Sequence, residues 1–139
     1  MITLHATSVA LDDCAVLICG EPGSGKSDLA LRIIEAGGQL ISDDYTNLMK
    51  KGDHLIASPP PKIAGRMEVR GVGIIEIAYQ SGVQVALVIQ LTDRQEIERL
   101  PEEASTELEG VRIPEIRLDA FEVSATAKIR VVLARLLTA

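Results

Sequence analysis

Residues 20–27, Gly20-Glu21-Pro22-Gly23-Ser24-Gly25-Lys26-Ser27, fit the phosphate-loop pattern G-x-x-x-x-G-K-[ST]. Such a loop works only between a strand and a helix, so it constrains the fold on both sides. Cys14 to Cys19 is a short apolar run that reads as a buried strand. After the loop, Leu29, Ala30, Ile33 and Ile34 recur at helical spacing, with Asp28, Arg32 and Glu35 on the other side. Gly37-Gly38 then stops the helix. Glycines let backbone N–H groups close around phosphate oxygens, and the helix N-terminus adds its dipole and free donors. Lys26 would reach the phosphates and the Ser27 hydroxyl would bind Mg²⁺. A chance glycine-rich turn is the competing reading, and the flanks argue against it.

The chain has 139 residues, which predicts one domain, residues 1–139. Aromatics are only Tyr45, Tyr79 and Phe121, so the core must be Val, Ile, Leu and Ala. The formal net charge is −6. With so few aromatics, an acidic chain undersupplies both phosphate attraction and base stacking, which argues against nucleic acid as a partner. No apolar run approaches a membrane span, and Met1-Ile2-Thr3-Leu4-His5 has no basic signal region. Cys14 and Cys19 would lie about 16 Å apart on one strand, too far for a disulfide. Buried, reduced thiols are expected, as in a cytoplasmic protein. Residues 93–122 are acidic and residues 50–70 are basic.

Further along, Leu4 to Leu11 and Cys14 to Cys19 read as a hairpin through Asp12-Asp13. Gln39 to Ser42 is a short strand ending in Asp43-Asp44. Thr46 to Lys50 and Leu55 to Ala57 form a second hairpin, and Pro59-Pro60-Pro61 breaks regular structure. Ile74 to Tyr79 and Val85 to Leu91 read as apolar strands. Residues 93–117 suggest a short helix and loops, and Ala120 to Leu137 the last helix, its apolar face made by Ala125, Ile129, Val132, Leu133 and Leu136. The expectation is an α/β domain with a mixed, hairpin-rich sheet and flanking helices.

Phosphoryl transfer also needs a carboxylate for the metal and a group that orients or deprotonates the nucleophile. Two strands end in an acid: Leu40-Ile41-Ser42-Asp43-Asp44 and Val88-Ile89-Gln90-Leu91-Thr92-Asp93. Strand ends next to a phosphate loop are where such sheets place ligands. A solvated turn would also explain Asp43-Asp44, and helix capping would explain Asp93. In Met67-Glu68-Val69-Arg70-Gly71-Val72-Gly73, Glu68 and Arg70 share one face of an extended segment. They read either as a salt-bridged strand start or as a metal ligand beside a phosphate contact.

These three motifs, in this order and at these intervals, resemble the catalytic domain of bacterial HPr kinase/phosphorylase. That family carries G-[DE]-[SP]-G-x-G-K-S, then an Asp-Asp pair after the next strand, then [LM]-E-[IV]-R-G-[LV]-G-I-I. The third motif is the specific one. The match is closest to the short form that lacks an N-terminal domain. The resemblance implies a P-loop kinase domain of PEP carboxykinase-like fold. It implies a cytoplasmic, ATP- and Mg²⁺-dependent protein serine kinase of the phosphotransferase system, acting on HPr or an HPr-like phosphocarrier. It also implies a homo-oligomer, often a hexamer. By the same resemblance, Gly20, Glu21, Pro22, Gly23, Ser24, Gly25, Lys26 and Ser27 bind ATP. Asp44 accepts the proton of the substrate serine and Asp43 supports it. Ser27 and Glu68 hold Mg²⁺. His5 matches a catalytic histidine in Leu-His-Gly, with Ala6 in place of the glycine. Arg99 matches an arginine in Asp-Arg-Leu, within Glu98-Arg99-Leu100.

One departure has a functional implication. The family's phosphorylase motif reads Ile-Pro-Val-Arg-Pro-Gly-Arg-Asn, whereas this chain has Ile113-Pro114-Glu115-Ile116-Arg117-Leu118-Asp119. Kinase activity is expected to be retained and phosphorylase activity to be poor. The alternatives are a small-molecule kinase with the same loop and a nucleotide-sensing module without catalysis. The first would need an arginine-rich lid, which the acidic residues 93–117 do not offer; the second would not need a base.

Overall fold

Strand Cys14–Cys19 (β3) has its side chains buried on both faces of the sheet. The computed structural model describes residues 1–138. Val16 and Ile18 face a core shared with the helices, while Ala15 and Leu17 face a second core with Leu48, Leu55 and Ala57. A strand buried on both sides reads as a continuous apolar run, which is the pattern of this segment. The sheet curls around the second core, and two helices cover the first.

In chain order the elements are β1 (Ile2–Leu4), β2 (Thr7–Leu11), β3, α1 (Lys26–Glu35), β4 (Gln39–Ser42), β5 (Thr46–Lys51), β6 (His54–Ser58), β7 (Arg66–Val69) and β8 (Gly73–Glu76). They continue with β9 (Val83–Leu91), a 3-10 turn at Arg94–Glu96, β10 (Ala104–Leu108), β11 (Val111–Leu118) and α2 (Ala125–Thr138). The main sheet runs β1-β5-β6-β9-β3-β2-β4, with β10 and β11 branching from β9. One edge of β9 pairs in parallel with β3. The other edge is divided: Val83 and Gln84 pair with β6, and Val88 to Leu91 pair in parallel with β11. This division lets a nine-residue strand hold both leaves of the sheet.

The α1 stripe of Leu29, Ala30 and Ile33 is buried against β2 and β3. Burying a side chain such as Leu29 or Ile33 contributes about 2 kcal/mol. The helix ends where Gly37 turns to φ 108, so that Gly37 N–H reaches Ile34 O at 3.1 Å and Gly38 N–H reaches Ile33 O at 3.0 Å. This double bond pattern needs a residue that tolerates positive φ. α2 packs through Ala125, Ile129 and Leu133 on the same core.

The hairpins at Asp12-Asp13 and Lys51-Gly52-Asp53 are present, as is the strand ending at Asp43. Four differences from the sequence reading stand out. The first strand is broken at His5-Ala6 into β1 and β2, which pair with different neighbours. Ile74 to Tyr79 is not a buried sheet strand: β8 forms a two-stranded ribbon with β7, and Ile74 is 75% exposed. Residues 104–118 form a hairpin instead of loops. Pro114 is tolerated because pairing with β9 begins only at Glu115, so no N–H is needed there. Finally, α2 starts at Ala125, five residues later than expected. Among the described residues, no helix is long and apolar enough to cross a membrane.

Candidate functional site

Gly25 caps α1 in the left-handed region, at φ 97 and ψ 19. Among the described residues, the N–H groups of Gly23, Gly25, Lys26 and Ser27 meet no hydrogen-bond acceptor. Free donors at a helix start, in a loop bent by glycines, make a site for an anion. Lys26 is only 8% exposed, and its Nζ lies back over the loop, donating to Gly20 O at 2.8 Å and Glu21 O at 3.2 Å. Among the described residues, the Ser24 hydroxyl is buried without a hydrogen-bond partner.

The first acid of the pair ties this loop to two other segments. Ser27 Oγ donates to Asp43 Oδ1 at 2.8 Å, and the Glu68 backbone N–H donates to Asp43 Oδ2 at 3.0 Å. Thr7 Oγ1 lies 3.4 Å from Asp43 Oδ1 and accepts the Asp44 N–H at 3.1 Å. Thr7 is fully buried, so its hydroxyl needs these partners. The second acid turns the other way. Asp44 has φ 70, a conformation that Asp and Asn tolerate better than most residues. Its carboxylate is exposed, with Oδ1 3.0 Å from His5 Nε2. The His5 ring stacks on Tyr45, with centroids 4.8 Å apart and planes 18° from parallel.

A cavity of about 580 Å³ brings together Lys26, Ser27, Asp44, Glu68 and Arg70 around the loop. Met67 is buried in the helix-side core, so its neighbour Glu68 projects outward. Glu68 and Arg70 form no salt bridge with one another. Of the sequence candidates, His5, Asp43, Asp44, Glu68 and the loop converge. Asp93 does not: it lines a separate cavity of about 750 Å³ on the other side of the loop. Asp93 makes no capping hydrogen bond; the Arg94 N–H goes to Asp119 Oδ2 instead. Arg99 is exposed in the segment after the 3-10 turn and lines neither cavity. Thr7 and Tyr45 were not legible as site residues, because only the pairing of β1 with β5 and of β2 with β4 brings them there.

Cys19, directly before the loop, has its thiol pushed up to about 11. Burial is the main cause and the Glu115 carboxylate adds to it, while Lys26 acts in the opposite direction. Both cysteines are free thiols.

A curled mixed sheet with a phosphate-loop pattern between strand and helix defines the class, an α/β domain built around that loop. The family of the HPr serine kinase C-terminal domain matches residues 1–137, and the chain belongs to that family. It is 33% identical to an HPr kinase/phosphorylase of Enterococcus faecalis over 128 residues, covering 84% of this chain and 41% of the relative. It is 36% identical to an HPr kinase/phosphorylase of Cupriavidus necator over 110 residues, covering 72% of this chain and 34% of the relative. The chain thus spans less than half the length of these curated relatives. It also matches the solved structure of an Hpr(Ser) kinase/phosphatase from Coxiella burnetii, with a TM-score of 0.87, 28% identity and 99% of each chain covered.

Proposed function

We propose that this chain is an ATP-dependent protein serine kinase that phosphorylates HPr or an HPr-like phosphocarrier in the cytoplasm. The observation that carries this reading is the division of labour in the acid pair. Asp43 is bound to Ser27 of the loop, while Asp44 points its carboxylate outward into the same cavity. An acid that served only as a turn would not need both arrangements.

The donor chemistry fits the groups proposed. The free N–H groups of Gly23, Gly25, Lys26 and Ser27 and the Lys26 ammonium suit a polyphosphate. The Ser27 hydroxyl with the carboxylate of Glu68 suits Mg²⁺, which is usually held by one or two carboxylates together with substrate phosphates. When bound, Mg²⁺ offsets charge on the phosphates. Lys26 swings from the Gly20 and Glu21 carbonyls to the phosphate chain. Asp44 takes the proton from the incoming serine hydroxyl as the serine oxygen bonds to the γ-phosphorus and the bond to the β-phosphate oxygen breaks. His5, hydrogen-bonded to Asp44 and stacked on Tyr45, holds that carboxylate in place. Asp43 keeps Ser27 and the ribbon in register.

The test is incubation with ATP, Mg²⁺ and purified HPr-like proteins, followed by mass spectrometry for phosphoserine. Stoichiometric phosphorylation of one serine supports the reading. Absence of transfer to any of these carriers, with ATP bound, removes it.

A further inference from the structure

Phe121 is one of three aromatic residues in the chain, and it is 69% exposed. Its backbone is nonetheless held on both sides. Asp119 Oδ1 accepts the Phe121 N–H at 2.9 Å, and Asp119 Oδ2 accepts the Arg94 N–H at 3.1 Å. Arg32 of α1 donates to the carbonyls of Ala120 and Glu122. The segment that carries the ring is therefore tied to the helix that follows the phosphate loop. The ring also reaches the loop itself. A Cβ built at Gly25 would stand 3.2 Å from Phe121 Cζ and 3.3 Å from Cε1. An apolar ring presented to water on a fixed backbone gains little from burial, so packing does not account for it.

Phe121 lies between the two cavities and lines both. One contains Lys26, Ser27 and Arg70 together with the carboxylates of Asp28, Asp44 and Glu68, and includes the free N–H groups of the loop. The other is walled by Glu21, Asp93, Glu96, Glu115 and Asp119, with only Arg117 of opposite charge. Five carboxylates against one guanidinium repel a polyphosphate. They are, however, acceptors for the exocyclic amino group of a nucleobase such as adenine. The backbone donors of the loop and Lys26 thus favour phosphates on one side of the ring, and the acid wall favours an uncharged, donor-bearing base on the other.

We propose that Phe121 is a stacking platform for the base of the bound nucleotide, which lies in the acid-walled cavity while its phosphates occupy the loop. This rests on the nucleotide reading above. An aromatic face stacks on a base with little regard to base identity, whereas the carboxylates add a preference for bases rich in N–H donors.

The experiment is calorimetry of ATP and of inorganic tripolyphosphate, each with Mg²⁺, on the wild-type chain and on Phe121→Ala, Phe121→Leu and Phe121→Trp. Thermal melting establishes that each variant is folded. The Ala and Leu variants should bind ATP roughly 5- to 100-fold more weakly, the scale of one lost stacking contact. Phe121→Trp should retain ATP affinity, and all four proteins should bind tripolyphosphate alike. Unchanged ATP affinity in Phe121→Ala and Phe121→Leu overturns the proposal. So does an equal loss of ATP and tripolyphosphate, which would make the ring only a prop for the loop. Wild-type protein that binds neither ligand overturns both this proposal and the nucleotide reading, so the two failures are distinguishable.

Discussion

Asp43 Oδ1 accepts the Ser27 hydroxyl at 2.8 Å, joining the end of β4 to the start of α1. The same carboxylate holds the Glu68 N–H through its other oxygen. Three of the sequence motifs thus meet at one side chain. Asp44, next in the chain, is left to face the cavity. Different consequences follow for the residues on either side of this junction.

Lys26→Ala should lower ATP affinity and reduce phosphoryl transfer by about 10²-fold or more, the scale of losing one fixed donor to a developing anion. The same change removes the partner of the Gly20 and Glu21 carbonyls. Calorimetry with Mg-ATP and the transfer assay measure the two effects. Unchanged Mg-ATP binding would remove the basis of the phosphate-loop reading.

Asp44→Asn should leave ATP binding nearly intact and slow transfer by about 10²- to 10⁴-fold, the range for a positioned general base. Asparagine is the suitable replacement because it also accepts φ 70, so the backbone need not move. Asp93→Asn, in the other cavity, should have a much smaller effect. Reversed effects in the transfer assay would assign the base to the second strand end.

Glu68→Gln should shift the Mg²⁺ dependence of activity to higher concentration. The Glu68 backbone N–H still holds Asp43 in this variant, so the loop geometry is retained. Nucleotide binding without metal should change little. A titration superimposable on that of the wild type would leave Glu68 as an exposed side chain on the ribbon.

Cys19 should react slowly with iodoacetamide at pH 8, more than about 100-fold slower than a free cysteine, because little of it is thiolate. Stability carries a matching signature. The folded chain keeps a thiol proton that the unfolded chain loses near pH 9.0, so stability should fall as pH rises from 9.0 to about 11. Denaturation midpoints across that range test the direction. A rise with pH would contradict it.

Phosphate-driven removal of the seryl phosphate should be slow beside the forward reaction. A phosphate ion used as the attacking group needs clustered N–H donors or bidentate arginine. Here Glu115 to Leu118 is extended strand, paired to β9, and offers no such turn. Equal rates in the two directions would show that the missing motif is dispensable.

The loop, β3 and α1 could be read from the chain because each is specified locally, by an apolar run, a glycine pattern and a 3.6-residue stripe. Asp43-Asp44 could be located but not divided into two roles. That division comes from Thr7 and Glu68, which approach only after long-range pairing. The β10–β11 hairpin is not legible in the chain because β10 is mostly exposed and lacks an apolar face. The turn at Glu109-Gly110, with φ 51 and 78, was the available signal. Ile74 read as buried because hydropathy does not reveal that β7 and β8 stand apart from the main sheet.

The position of β3 between β2 and β9 has a kinetic consequence. Residue 16 must find residue 87, so half of the bonding of this strand waits until most of the chain is available. Contacts so distant in sequence place folding on the order of milliseconds to seconds. During that wait, Cys14-Ala15-Val16-Leu17-Ile18-Cys19 is an uncharged, β-prone segment with an open edge. The strand that later aims the phosphate loop is thus also the segment through which two unfinished chains would first adhere, and crowded synthesis would penalise any change that delays β9.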